Sequence, residues 1–565
     1  MKINVLAQDK GYRYLSFSSF LNLLYSIIII LFLVCIPVST HAAKVNDFIP
    51  KESVFYIQLN DFNEIYNEIQ ISEDWERTLD QVLDESDLQE MQQGMLAAQG
   101  IIGTDLFGVI DTVGYQTGFA MWDVGINSIR GGIVVHSGGN LAELQRLTKI
   151  LTGFMGMSGG ILKLDAGEHR KVKYNTLQMP DVLFTYGFVS DFLVVGIGEN
   201  SFEKLIDTYR KKSLSIQKNE SYSKAFKKCG VGQVTGFINV SGLLPLLQDL
   251  SDIERTQLQT FKTVFAQLNL LEVEPLFQLY TEFDSNLPES RIVPFLKEGD
   301  ELEILKSLSG KEDLFIAVAP TVLDTVWQLI HNEIENTETD DVHAFITFLE
   351  GILNLDFEDD VVAGLTGELA LSVDDLTLFE PDDLESLDIN IDGTFQIDAG
   401  NVYTHGSLIF IPNNPAKWDQ IGNSLSNLQN TSVSKTEYKG ATVSEFGSNI
   451  YYAERDSLSL LSFSEEQMHS LVDTLQEKKK PSYLKQLPKT PLAVVNLNIL
   501  KLFKAMNEGM PMQNDVIMPA EISPLLAWIT VEKNEAVLEI SLSDKESPLE
   551  VFAKIAPLVV SQMRF

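Results

Sequence analysis

The chain has 565 residues, 45% of them hydrophobic, and a formal net charge of −37 from 79 Asp or Glu against 42 Lys or Arg. That length accommodates two or three domains with sizeable cores, and the acid excess repels nucleic acid and anionic lipid headgroups, which excludes nucleic acid as a partner. Of the two cysteines, Cys35 falls in an apolar leader, so Cys229 has no partner for an internal disulfide in the rest of the chain.

The leader comes first. Lys2, Lys10 and Arg13 precede an apolar run from Leu21 to Val38, and Thr40-His41-Ala42-Ala43 offers small residues for a signal peptidase. A run of about 18 apolar residues also reaches the lower limit for crossing a bilayer. Residues 1–43 therefore read as a signal peptide or an N-terminal membrane anchor, with residues 20–38 holding the chain in the inner membrane in the second case. Val34 before Cys35 does not fit a lipobox. Everything after Lys44 is expected in the periplasm or cell envelope.

After Pro50 a short strand is expected over Ser53 to Leu59, then helical patterns through Trp75, Leu79, Val82, Leu83 and Leu88. Thr117 to Trp122 and Gly131 to His136 read as strands, Leu141 to Phe154 as an amphipathic helix, and Ile161 to Asp165 and Val172 to Gln178 as further strands. Phe184 to Phe188 and Phe192 to Ile197 are β-rich runs hinged at Ser190-Asp191, followed by a capping-box pattern, Asn200 with Glu203, before a helical stripe. Helical stretches are expected from Val240 through Leu270. A hairpin is expected of Leu276 to Phe283 with Arg291 to Phe295 across Asn286-Leu287-Pro288, and a helix from Glu301.

Much of this order returns. Lys311-Glu312-Asp313-Leu314-Phe315 mirrors Lys51-Glu52-Ser53-Val54-Phe55, Asp456 takes the hinge place of Asp191, and Ser464 with Gln467 supplies the cap. Leu471-Val472-Asp473-Thr474 echoes Leu205-Ile206-Asp207-Thr208, Ser482-Tyr483 with Lys485 matches Ser221-Tyr222 with Lys224, and Val494-Val495-Asn496-Leu497 matches Phe237-Ile238-Asn239-Val240. Leu526 to Val531 and Ala536 to Leu542 form a terminal hairpin, and Leu549 to Val560 a helix. The expected organisation is a tandem duplication: repeats over 44–308 and 309–565, with an acidic insertion over 374–400 in the second. Hairpins interspersed with helices favour α+β, each repeat a mainly antiparallel sheet with helices packed on one face.

The leader, the Pro50 to Leu59 opening, the segment YGFVSDFLVVGIGENSFEKLID and the strand Phe237-Ile238-Asn239-Val240 together resemble an uncharacterised family of exported bacterial proteins known as a domain of unknown function. The resemblance spans most of residues 48–500 and implies a bacterial envelope or secreted location. It implies no catalytic residues.

Motifs with chemical content are few. Gly156-Met157-Ser158-Gly159-Gly160 fits G-x-S-x-G, but a helix precedes it and a strand follows, the reverse of a nucleophile elbow. Gly196-Ile197-Gly198 sits between strand and helix as a dinucleotide loop would, yet Ser201 stands where the third glycine belongs, and the second copy replaces both glycines with Leu461 and Phe463 or their neighbours. Asp388-Ile389-Asn390-Ile391-Asp392-Gly393 supplies the first half of a calcium loop, so Asp388, Asn390 and Asp392 are the candidate metal ligands. Ala399 occupies the place of the bidentate glutamate, and a hairpin turning on Gly393 explains the same residues. His136, His169, His331, His343, His405 and His469 show no zinc spacing. No cofactor is expected besides calcium.

Between Lys311 and Lys417 lie 105 residues without Lys or Arg, holding 23 Asp or Glu. That asymmetry suits a basic protein partner, an envelope component or divalent cations. The leading expectation is a non-enzymatic binding or scaffold protein of the bacterial envelope that touches the membrane only through its N-terminal segment, and only if that segment is uncleaved. A carrier of an apolar ligand around Met91, Met95, Phe154, Met155 and Met157 is the first alternative. An enzyme of unrecognised type is the second.

Overall fold

The computed structural model describes residues 44–72, 102–323, 367–374, 406–509 and 521–563 apart from short interruptions, together with scattered positions between 75 and 100, between 325 and 356, and at 519. The first half carries β1 (Phe55–Asn60), β2 (Gln116–Gly125), β3 (Ser128–His136), β4 (Ile161–His169), β5 (Val172–Gln178), β6 (Leu183–Val189), β7 (Phe192–Ile197), β8 (Val234–Asn239), β9 (Phe261–Leu268) and β10 (Phe277–Phe283). The second carries β11 (Leu314–Val318), β12 (Leu369–Val373), β13 (Gly406–Phe410), β14 (Ser434–Tyr438), β15 (Ala441–Phe446), β16 (Ile450–Arg455), β17 (Leu458–Ser462), β18 (Ala493–Leu497), β19 (Leu525–Glu532) and β20 (Glu535–Leu542). The helices used below are α1 (Phe62–Ile71), α2 (Leu106–Val113), α3 (Leu141–Met157), α4 (Ser201–Arg210), α5 (Glu220–Cys229), α6 (Asp252–Gln259), α7 (Pro415–Leu428), α8 (Glu465–Gln476), α9 (Ile499–Gly509) and α10 (Pro548–Met563).

All twenty strands belong to one antiparallel sheet. Their pairings run β4-β5-β6-β7-β3-β2-β1-β8-β9-β10 and continue β20-β19-β18-β11-β12-β13-β17-β16-β15-β14. Read outward from the β10–β20 joint, the two halves have the same connectivity. Gln278 pairs with Glu539 there, and the neighbouring pairs fall evenly on either side: Phe277 with Ile540, Leu279 with Leu538. Each outer edge is unfit for further pairing. β14 is almost wholly exposed and carries Lys435 and Glu437, while β4 shifts register between Lys163 and Gly167 and turns left-handed at Asp165.

Helices cover both faces of the sheet, which corrects the one-face expectation. Alternate residues of a strand point to opposite sides. Val134 and Val194 pack with Leu205 of α4, whereas Val135 and Leu193 pack with Leu144 of α3. The second half repeats this: Ile409 and Leu460 lie with Leu471 of α8, and Phe410 and Leu461 with Trp418 of α7. A sheet buried on both sides reads as continuous apolar runs, as FLVVGI over β7 does, and such runs do not reveal which face a helix takes.

Pairing also adjusts several sequence correspondences. Tyr56 faces Phe237 and Phe315 faces Asn496, and the bonds Asn239 N to Val54 O and Asn498 N to Asp313 O are equivalent. Tyr56 therefore matches Phe315, and Asn239 matches Asn498, a shift of one and two residues from the expected alignment. The hairpin turns are Ser190-Asp191 and Asp456-Ser457, with Ser190 and Asp456 both at positive φ, so Asp456 takes the place of Ser190. The helix correspondence holds without adjustment: Phe202, Leu205 and Ile206 are buried on α4, as Met468, Leu471 and Val472 are on α8.

Between Val240 and Leu270 the helical expectation holds only as far as α6; Phe261–Leu268 is strand β9. Its inward residues Thr263, Phe265 and Gln267 are buried but mostly polar, so hydrophobic alternation is muted. β10 pairs with β9 and β20 rather than with residues 291–295, of which Val293–Phe295 form a 3-10 turn, and the expected helix from Glu301 is a 3-10 turn over Glu303–Ser307. Asn200 is left-handed and its side chain does not cap α4; Ser201 Oγ bonds Ile197 O at 2.7 Å instead. Ser464 accepts from Gln467 N at 3.5 Å, as the cap pattern predicts.

Candidate functional site

Among the described residues an open groove runs along α5. Asn219 caps the helix by accepting from Tyr222 N at 3.0 Å, Glu220 lies in the first turn and Lys227 and Lys228 in the last, and Gly230 at φ 86° ends it. Tyr222, Ala225 and Cys229 face the sheet, which leaves the lysines outward. The groove holds about 610 Å³ and is lined by Gln217, Lys218, Ser223, Lys224, Lys227 and Lys228, among others.

The helix lies over the joint between the halves. Glu282 of β10 and Glu535 of β20 are directly opposite one another, an arrangement in which two carboxylates repel. Lys224 resolves it: its Nζ lies 3.0 Å from Glu282 and 2.5 Å from Glu535. Lys228 adds contacts of 2.8 Å to Glu532 and 3.4 Å to Glu535. Burial acts upward on the Glu535 carboxyl, but the two ammonium groups outweigh it and hold the group below the usual range; Glu282 behaves alike through Ser221 and Lys224. Hydrogen bonding to Glu535 raises Lys224 in turn.

Beneath the helix, Tyr222 meets Phe237 and Phe265 edge-on, with ring centroids 5.4 and 5.9 Å away. Two residues along each strand, on the same face, lies a polar row, Gln58, Thr235, Gln267, Gln278 and Glu539, paired strand to strand across β1, β8, β9, β10 and β20. Gln278 Nε2 donates to Glu539 Oε2 at 2.7 Å. Burial, with Glu539 nearby, pushes the Cys229 thiol up to about 12, so it stays protonated and is no nucleophile. Burial likewise raises Tyr280 and Tyr222 far above ordinary phenols.

A second, smaller cleft of about 410 Å³ lies beside Trp122, Arg130 and Lys204. Its two cations are paired: Lys204 reaches Glu52 at 2.9 Å and lies 5.3 Å over the Trp122 ring, and Arg130 lies 3.7 Å from Asp123. On its rim Asp207 accepts from Arg170 at the β4–β5 hairpin tip and contacts His169 Nε2 at 2.7 Å. Burial acts upward on Asp207, but those two partners outweigh it and lower the carboxyl. The second half has the same device, with Lys439 at the β14–β15 tip 2.7 Å from Asp473 and Tyr438 Oη 3.4 Å away. The sequence echo Leu-Ile-Asp-Thr and Leu-Val-Asp-Thr carries these two aspartates, though not their partners.

Other sequence candidates fall as follows. Asp388, Asn390, Asp392, Ser158, Met91, Met95, His331, His343 and His405 lie outside the described residues. Among the described residues no His, Cys, Asp and Glu group has metal-holding geometry, and no helix is long and apolar enough to cross a membrane. His136 packs between Tyr115 and Phe192, its Nδ1 accepting from Gly138 N at 3.0 Å, and burial lowers its pKa. The glycines of the dinucleotide-like loop serve packing. A Cβ on Gly196 would overlap the Phe202 backbone, and Gly198, at φ 86°, touches Ile129 O. Phe154 and Met157 of the apolar-carrier expectation are outward, 53% and 81% exposed.

Residues 170–401 match the model of a family described as "Protein of unknown function (DUF3352)". The match covers less than half of the chain. It runs from the β4–β5 tip through the β10 joint, crossing residue 309 instead of stopping there. No curated protein and no solved structure matches the chain.

Proposed function

We propose that this is an exported bacterial envelope protein that works as a non-enzymatic scaffold, formed by tandem duplication of one α+β unit over 44–308 and 309–565 and held at the membrane by its N-terminal segment. The observation that carries the reading is the joint: matching strands of the two halves meet as neighbours at Gln278 and Glu539, which makes one continuous twenty-strand ladder. A ladder of that extent is a rigid platform, roughly twice the strand number at which open sheets usually curl or split. Support for binding over catalysis comes from the α5 groove, where lysines are neutralised by carboxylates or point outward and the thiol below is protonated. The insertion over 374–400, with Asp388, Asn390 and Asp392, remains the proposed place for calcium.

Native mass spectrometry of the full chain, extracted in mild detergent from its own envelope, tests this. The expected species retains the leader mass and carries a stoichiometric envelope component. A bound apolar molecule of a few hundred daltons, lost in organic solvent, would replace the scaffold reading with the carrier.

A further inference from the structure

The charge of this chain is inverted over two stretches, 478–504, with seven Lys and no carboxylate, and 209–228. Residues 209–228 carry seven Lys or Arg against one carboxylate, Glu220, in a protein of net charge −37. Lys211, Lys212, Lys218 and Lys227 are exposed, as are Lys44 and Lys51 on the strand entry beside them. Among these, Lys212 lies 3.5 Å from Asp47; Lys44, Lys51, Lys211, Lys218 and Lys227 make no ion pair among the described residues.

The same face receives the start of the described chain. Phe48 stacks on Tyr209 with centroids 4.1 Å apart, and the Arg210 guanidinium lies 5.8 Å from the Tyr209 ring centroid. Val45, Phe48 and Ile49 are fully buried, Ile216 N bonds Ile49 O at 2.7 Å, Lys51 N bonds Leu214 O at 2.7 Å, and Asn219 Nδ2 bonds Lys51 O at 2.8 Å. Lys44 therefore leaves the body at a fixed point within the basic region. The apolar leader ends at Val38, six residues earlier, a step of at most about 20 Å when fully extended.

We infer that the face made by Lys44, Lys51, Lys211, Lys218 and Lys227 lies against the membrane and takes anionic lipid headgroups. The inference rests on the proposed membrane anchor and adds the orientation and the lipid class. Long-range repulsion by the acidic remainder does not prevent it, because at physiological ionic strength charge acts over only about 8 Å. Juxtamembrane lysines on a short tether then meet a surface whose attraction is about fivefold in population for each one engaged.

The test uses the full chain reconstituted into phosphatidylcholine vesicles with and without 30% phosphatidylglycerol (an order-of-magnitude choice, roughly a third anionic lipid), read by flotation and by amide exchange over 209–228. The expected result is flotation with both vesicles and slower exchange only with the anionic ones, by about fivefold or more. The variant Lys211→Gln/Lys218→Gln/Lys227→Gln, which alters outward side chains only, should float and lose that slowing. Flotation with equal exchange on both vesicles would overturn the basic-face inference while leaving the anchor. Failure to float with either would remove the anchor and overturn both. Slowing that grows with protein concentration and ignores lipid charge would assign the face to the acidic stretch of a second copy.

Discussion

The two halves share connectivity but diverge after the helix that follows the fourth hairpin. In the first, Tyr222 sits on the ten-residue α5, whose lysines reach the joint; in the second, Tyr483 is buried on a 3-10 turn over Ser482–Lys485. The corresponding sheet face in the second half is covered by Leu302 and Ile304 from the stretch that links the halves. Matching tyrosines thus mark the same place in the core while the cover above them differs. The buried row specifies the fold, while the exposed row on α5 is free to vary.

Substitutions at matched positions sharpen this comparison. The largest contrast is expected at Gly196 and Ser462, which occupy the same place in β7 and β17. Gly196→Ala drives a Cβ into the backbone of Phe202 and should cost about 3 kcal/mol or more, at the upper end for overpacking. Ser462→Ala loses its hydroxyl contacts to Ser464 O and Gln467 Oε1 and should cost about 1 kcal/mol. Chemical denaturation of each variant checks the pair, and equal costs would mean that the two helices approach their strands alike.

Next in size, Phe202→Ala and Met468→Ala empty the same site, both side chains being fully buried. About 3–5 and 2–5 kcal/mol are expected, with the first half losing more. Glu535→Gln frees Lys224 and Lys228 from their shared partner and should cost about 1–2 kcal/mol. Because the Glu535 and Glu282 carboxyls are lowered, their contribution is present above pH 4.5 and is lost as pH falls below it; urea midpoints of wild type and Glu535→Gln should converge there.

The smallest effect concerns His136. Its folded pKa is lowered, so as pH falls through 6.5 the unfolded chain takes up a proton that the folded one resists, and stability declines. His136→Asn keeps an acceptor for Gly138 N and should flatten that part of the pH profile. A profile unchanged by the substitution would place the titration elsewhere.

Local order was legible where burial is apolar. Phe192 to Ile197 and the stripes Leu205-Ile206 and Leu471-Val472 were readable because every inward residue is hydrophobic. β9 was not, since Thr263 and Gln267 are buried polar residues that blunt the alternation. The place of β1 between β2 and β8 and the meeting of β10 with β20 had no local signature, because partners such as Gln278 and Glu539 are far apart in sequence and no turn links them. The α5 groove is hidden for a different reason: the whole-chain charge of −37 masks seven cations in twenty residues, a signal that only a charge count along the chain carries. The calcium candidate, Asp388, Asn390 and Asp392, lies outside the described residues.

The central claim is that the halves form one ladder through β10 and β20. Native-state amide exchange of residues 277–283 and 535–542 tests it most directly. These amides are expected to be protected to the level of the best-protected strands and to open only with global unfolding. Early exchange of both segments, while β7 and β17 remain protected, would mean that the halves are separate bodies and would contradict it.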